Sequence, residues 1–390
     1  MIRLIKEHLL GKWGALGLGV LPDELFFIKF ADRRIRAAEV GIISFLVKGR
    51  YGREERPLFI LRVPRYPANK AANLSLELEY QNLKFIHDRL TDDNLRQSIP
   101  RAVVWEQICN TNVLAVSFLA GTSLNRGMLK ADLLTNYLQQ AKLAFYWLMA
   151  FQKGMGSAAL LSAEQVVEKV IGEYAAVFPD HQAVRAEYFS ALRAKARKLT
   201  GSQIPQFAQH GDFHAENIFV VENRVAGVID WEDSSLAGIP AFDAFHFIRT
   251  YFEALFGYAV ERLDLDLLDS LSTGENTFKA IRVTLADYCN KMGIDPRFES
   301  IWVPVCLIQS ASFAGSPRKE ARGALGVFDL LLQLEPFSLE DLFFYMSILN
   351  YRDLAKKAVD AKISSLANSC LERINAIQAA AKRWRKKIGS

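Results

Sequence analysis

Hydrophobic positions change their period near Gly121. Before it the pattern is strand-like. FFIKF (26–30), VGIISFLV (40–47) and LFILRV (58–63) are β-branched and aromatic runs, separated by the charged turns ADRRIR and KGRYGREERP. Three such runs on short turns predict an antiparallel meander. ANLSLELEYQNLKFIHDRL then spaces Leu76, Tyr80, Leu83, Ile86 (or His87) and Leu90 three or four apart, which predicts an amphipathic helix. IPRAVVWEQ and TNVLAVSFLAG predict two more strands, so the chain up to Gly121 reads β-β-β-α-β-β.

Beyond Gly121 the period is helical. ADLLTNYLQQAKLAFYWLMAFQ (131–152) places Leu134, Leu138, Ala141, Phe145, Leu148 and Phe151 on one face, and residues 163–199 are helical in pattern. IFVVENRVAGVIDW interrupts with a predicted hairpin around Glu222-Asn223-Arg224, and helices resume at Phe242. The tail, 353–390, repeats Ile363, Leu366, Cys370, Ile374, Ile377, Ala381, Trp384 and Ile388 at steps of three or four and ends KRWRKK, an amphipathic helix with a basic end. The pattern divides the chain into an N-terminal helical extension (1–25), a small sheet lobe (26–115), a hinge (116–122), a large mostly helical lobe (123–350) and the basic C-terminal helix (351–390).

Composition narrows the class. Of 390 residues, 51% are hydrophobic and 23% charged, close to ordinary globular usage, and 26 Phe favour well-filled cores. A net charge of +5 with no nucleic-acid-binding signature implies no nucleic-acid partner. Cys109, Cys289, Cys306 and Cys370 form no CxxC pair, which speaks against a zinc ribbon or disulfide framework and fits a reducing compartment. Trp13–Pro22, the longest uncharged stretch of the N-terminal segment, is far short of a membrane span, and no secretory signal is recognisable. A cytoplasmic protein is expected, with peripheral contact at the inner face of the membrane, or dimerisation, through 353–390 left open.

The chemistry concentrates in QHGDFHAENIFV (209–220). Asp212 and Asn217 are five residues apart in a loop, and the hairpin that follows returns Asp230 to Asn217. An amide oxygen and a carboxylate converging there suit Mg²⁺, a hard cation. Asp212 is left within reach of a substrate hydroxyl. D-x-x-x-x-N is also the spacing of the protein-kinase catalytic loop, in which Asp receives the hydroxyl proton and Asn holds metal.

HGDFHAENIFV followed by GVIDWEDSSLAGIPAFDAFHF resembles the aminoglycoside phosphotransferase and choline kinase group, over roughly 26–345 and most specifically over 209–247. The resemblance implies an α+β, bilobal protein-kinase-like fold, with a small five-stranded antiparallel sheet lobe carrying one helix and a large mostly helical lobe. It implies an ATP- and Mg²⁺-dependent small-molecule kinase, phosphorylating a hydroxyl of an aminoglycoside, choline, a sugar or a similar acceptor. Asp212 is then the catalytic base, Asn217 and Asp230 the metal ligands, and His210 and Asp243 the supports of the loop. Arg62 stands where the family has a phosphate-binding Lys, with Lys70 as the other candidate. Glu79, or its neighbour Glu77, is the acid that pairs with it. Ser117 and Leu119 offer backbone groups to the nucleotide base. Apart from the resemblance, an acceptor pocket is expected between the Asp212 loop and the helices after 245, where Glu232, Asp233 and Glu253 are candidates for an acidic wall suited to a cationic acceptor. No GxGxxG joins the first two strands. Two other readings stay open: a catalytically weak nucleotide-binding scaffold, and a metallohydrolase with His210, Asp212 and His214 as ligands.

Overall fold

The computed structural model describes residues 2–30, 41–108, 110–127, 133–183, 185–273, 275–314 and 338–388. It opens with α1 (Ile2–Gly11), followed by β1 (Glu24–Lys29), β2 (Ile42–Tyr51) and β3 (Glu54–Pro64). Next come α2 (Lys70–Arg89), α3 (Asp93–Gln97), β4 (Ala102–Ile108) and β5 (Thr111–Ser117). The five strands form one antiparallel sheet in the order β1-β2-β3-β5-β4.

KGRYGREERP is mostly strand rather than turn. Only Gly52-Arg53 separates β2 from β3, with Gly52 at φ +61°. The charged residues extend the strands because they pair across them, Arg50 with Glu24 at 3.0 Å and with Glu55 at 3.2 Å. The turn ADRRIR lies outside the described residues.

Alternation along β3 decides which side chain reaches the cleft. Leu61 and Val63 join Ile5, Leu9 and Trp13 of the N-terminal segment in an apolar cluster on the outer face of the sheet. Arg62 therefore points to the other face, toward α2. On α2, Leu76, Leu83 and Ile86 are buried, as is Leu90 at its C-cap, each stabilised by about 2 kcal/mol of transfer free energy. Tyr80 is half-buried and stacks on Trp105 of β4, with centroids 5.2 Å apart. The side chain of Asn69 caps the helix by accepting from the N–H of Ala72 (3.0 Å). The short helix α3 was not predicted.

The second lobe comprises β6 (Thr122–Ser123), α4 (Leu133–Met155), β7 (Ser157–Ser162), α5 (Ala163–Val177), α6 (Ala186–Arg197) and β8 (Gln203–Phe207). They are followed by β9 (Ile218–Val221), β10 (Arg224–Val228), α7 (Phe242–Glu261), α8 (Leu265–Thr273), α9 (Glu275–Met292) and α10 (Glu299–Ala314). The last helices are α11 (Leu339–Asp360) and α12 (Ser364–Ile388). The expected hairpin is β9–β10, which turns at Glu222 and Asn223, both at positive φ, with β6 completing its sheet. The β7–β8 pair was not expected, because two short apolar runs beside helices carry no distinct strand period.

On α4, Ala141, Phe145, Leu148 and Phe151 are buried as expected, and the departure is at Leu138. Tyr137 is buried against Tyr251 and Phe252 of α7, while Leu138 is 39% exposed. The tail is two helices rather than one. Lys362, at φ +63°, ends the first, and Ile363 is 38% exposed at the bend. Cys370, Ile374 and Ile377 pack into the main core, and Arg373 pairs with Asp269 of α8 at 3.0 Å. The side chains of Ala381, Trp384, Ile388 and the KRWRKK end lie outside the described residues. Among the described residues, no helix is long and apolar enough to cross a membrane. The α+β, two-lobed architecture expected from the sequence, a five-stranded antiparallel sheet lobe and a larger mostly helical lobe, is the one the chain adopts.

Candidate active site

The loop after β8 is built on backbone donors that a single carboxylate receives. Asp243, on the first turn of α7, accepts from the N–H of His210 (2.8 Å) and of Gly211 (2.9 Å). Burial pushes the Asp243 carboxyl up to about 7 against the pull of those two donors. His210 is fully buried, and burial pushes its imidazole down to about 4. Its Nε2–H donates to the Ile229 carbonyl (3.0 Å), and its Nδ1 accepts from the Asp212 N–H (3.2 Å), which fixes one neutral tautomer. The ring packs edge-on to Trp231, whose centroid is 4.5 Å away, above a floor of Trp147, Phe151 and Phe213. Gly211 sits at φ +87°, and a Cβ there would lie 2.3 Å from the Asp233 carbonyl oxygen, so both conformation and space require glycine. Gln209 closes the arrangement by exchanging backbone bonds with Ser235 at 2.7 and 2.9 Å.

Asp212 is then presented at the mouth of the loop, with its side chain 21% exposed. The Nδ2 of Asn217 donates to the Asp212 carbonyl (3.0 Å) and lies 3.4 Å from Asp212 Oδ2, which turns the acceptor end of the amide, Oδ1, away from Asp212. The Ile229 N–H donates to the Asn217 carbonyl (3.0 Å), so the hairpin delivers Asp230 beside Asn217 as the spacing predicts. Asp230 adopts φ +73°. An amide oxygen and a carboxylate are the donors a hard divalent cation takes, so these residues fit Mg²⁺.

Arg62 crosses from the small lobe into this group. One arm bonds Glu79 of α2, and the other reaches Asp230 Oδ1 at 3.1 Å. Burial weakens the guanidinium's hold on its proton, but Glu79, Asp230 and Glu232 outweigh it and the pKa rises. Burial also pushes the Glu79 carboxyl up to about 7, against the pull of Arg62. The pair that the structure brings together is Arg62 with Glu79. Lys70 is exposed on the first turn of α2, and Glu77 is exposed and bonded to Gln81 at 3.2 Å. Two further bonds fasten α2 to the segment after Asp230: Ser75 donates to Glu232, and Asn82 donates to the Trp231 carbonyl (2.8 Å).

Several expectations change. Glu232 is not part of an acceptor wall, since it is buried and bonded to Ser75 of the small lobe. Glu253 is paired with Arg249. The N–H of Ser117 donates to the Arg101 carbonyl (2.8 Å) and its hydroxyl accepts from the Arg101 N–H (2.9 Å), so that N–H is not open to a nucleotide base. Leu119 lies in the stretch after β5 with its side chain against Gly227 of β10. The metallohydrolase set fails because both ring nitrogens of His210 are spent on the protein. Among the described residues, no cluster of three or more His, Cys, Asp or Glu could hold a metal ion.

One residue at the site was missed. His246, one turn beyond Asp243 on α7, places Nε2 3.1 Å from Asp212 Oδ1. Its spacing from Asp243 was the available signal, because i and i+3 share a helix face.

A sequence model described as the phosphotransferase enzyme family matches residues 50–272, more than half of the chain and all of the site above. The chain belongs to the phosphotransferase enzyme family. The small-molecule kinase expected from the sequence is borne out at that level. A search of curated proteins gives no match. Solved structures similar to this chain include a Ralstonia eutropha JMP134 protein assigned as an aminoglycoside phosphotransferase. It has 12% identity and a TM-score of 0.49, with 87% of this chain and 98% of that one covered. The aminoglycoside phosphotransferase APH(4)-Ia has 13% identity and a TM-score of 0.46, with 84% and 97% covered. The macrolide 2′-phosphotransferase MphH of Brachybacterium faecium has 16% identity and a TM-score of 0.41, with 83% and 97% covered.

Proposed function

We propose that this phosphotransferase moves the γ-phosphoryl group of ATP to a hydroxyl of a small molecule, with Mg²⁺ as cofactor. The observation that carries the reading is the convergence of Asp212, Asn217 and Asp230 where the two lobes meet, with Arg62 reaching in from β3. Asp212 orients the acceptor hydroxyl and receives its proton. The Asn217 Oδ1 and the Asp230 carboxylate would hold the metal, which would supply neutralising charge to the phosphates. Arg62 supplies the positive charge that the family places on a Lys. Its planar fork spans Glu79 and Asp230, and the arm on Asp230 is the one that would be offered to a phosphate oxygen.

Thermal-shift titration with ATP and Mg²⁺ tests the site. The unmodified protein should be stabilised only when both are present, Asp230→Ala should lose the shift, and Asp212→Asn should keep it. ADP release across a panel of hydroxyl acceptors should then be lost in Asp212→Asn. An unmodified protein with no Mg²⁺-dependent shift sinks the reading.

A further inference from the structure

Asp212 does not stand free at the mouth of its loop. His246 Nε2 lies 3.1 Å from Asp212 Oδ1, and His246 Nδ1 lies 3.4 Å from an Arg249 NH2 group. A guanidinium only donates, so Nδ1 must accept and Nε2 must carry the proton. The imidazole is buried, with Phe242 5.9 Å from its ring, and burial pushes it down to about 4, so it is neutral near pH 7. Arg249 in turn is paired with Glu253. Glu253, Arg249 and His246 are spaced four and three residues apart, on one face of α7, and fix the ring from behind.

Taking Asp212 as the base, as proposed above, we infer that His246 is a positioning residue for phosphoryl transfer. Its Nε2–H holds Asp212 Oδ1 and thereby fixes the direction in which Oδ2 meets the acceptor hydroxyl. In the step it serves, the acceptor oxygen bonds to the γ-phosphorus. The bond from that phosphorus to the β–γ bridging oxygen breaks, its electron pair leaves with ADP, and the hydroxyl proton passes to Asp212. His246 itself exchanges no proton. A cationic donor in its place would draw basicity from a carboxylate, whereas a neutral N–H orients it with a smaller loss. Asn217 completes the clamp from the Oδ2 side at 3.4 Å.

Two measurements test this. Long-range nitrogen–proton NMR of the histidine side chains in the unmodified protein at pH 7 should show His246 protonated at Nε2 and bare at Nδ1, with the signal assigned by its loss in His246→Gln. Steady-state kinetics should then compare His246→Leu, which keeps the bulk, with His246→Gln, which keeps an N–H donor. Leu should lower kcat about 10- to 100-fold with KM for ATP changed less than about 2-fold, as misplacement of a catalytic group does, and Gln should restore most of the loss. Full kcat in His246→Leu, with Asp212→Asn inactive, overturns the role of His246 alone. Activity in Asp212→Asn removes the base assignment and the inference with it. Should His246→Leu fail to fold, an Nδ1-protonated or doubly protonated ring in the unmodified protein overturns the inference, and the Nε2 tautomer with activity in His246→Gln upholds it.

Discussion

The Asp212 loop and the Arg62 junction meet at Asp230 but are held in different ways. The loop is fastened within one lobe, by backbone N–H groups of His210 and Gly211 on the Asp243 carboxylate and by a histidine with both nitrogens committed. The junction is fastened between lobes by long charged side chains, with Arg62 spanning Glu79 and Asp230. Backbone donors have no rotamers to lose, so they suit the part whose geometry must not vary. An Arg fork can change partners without moving the chain, so it suits the part that must accommodate an incoming charge.

The largest test of this contrast is Asp243→Ala. It strands two buried N–H groups and should cost about 3–5 kcal/mol in urea denaturation, with turnover lost alongside. A cost below about 1 kcal/mol would remove the claim that backbone donors rigidify the loop. Gly211→Ala comes next. With φ at +87° and the Asp233 carbonyl in the way, it should cost about 2–3 kcal/mol and lower kcat, readable in the same two assays. Arg62→Met should be milder for stability, about 1–2 kcal/mol, because the Glu79 carboxyl, already raised to about 7, can take up a proton once its partner is gone. Its main effect should be on nucleotide, with the Mg²⁺-ATP thermal shift abolished. A fully retained shift would mean that Arg62 serves only to tether α2.

The smallest expected effect is on pH dependence, where the sign can be worked out. Asp243 and Glu79 have raised folded pKa values, so their stabilisation is present below their unfolded values near 4 and is lost as pH rises to about 7. His210 and His246 have lowered folded values, so theirs is present above about 6.5 and is lost as pH falls toward about 4. Between pH 4.5 and 6.5 the two pairs oppose each other and stability should be nearly flat. Asp243→Asn removes one falling contribution, so its unfolding free energy should rise with pH across that window more steeply than that of the unmodified protein.

The parts of the site written in local spacing were legible. Asp212, Asn217 and Asp230 fall in one loop and one hairpin, and the structure brings them together as their spacing predicts. Arg62 and Glu79 were readable only through family resemblance, because nothing in β3 or α2 alone shows that they meet. His246 was missed because its contact depends on the rotation of α7, which Asp243 sets by docking on the loop. The same limit produced the error on α4, where the choice between Tyr137 and Leu138 rests on the aromatic partners supplied by α7. Ser117 was offered to a nucleotide base through the family resemblance, and only the folded chain shows the Arg101 carbonyl taking its N–H.

Helix α2 is fastened to the lower lobe along its whole length. Ser75 holds Glu232, Asn82 holds the Trp231 carbonyl, and Arg89 donates to the Met155 carbonyl at 2.8 Å. Mechanically, α2 is the axle of the molecule rather than a passenger of the sheet that precedes it. If the cleft opens to release product, the five strands must swing about this axle, and the torque falls on the side chains that link strand to helix, Arg62 on Glu79 and Trp105 on Tyr80.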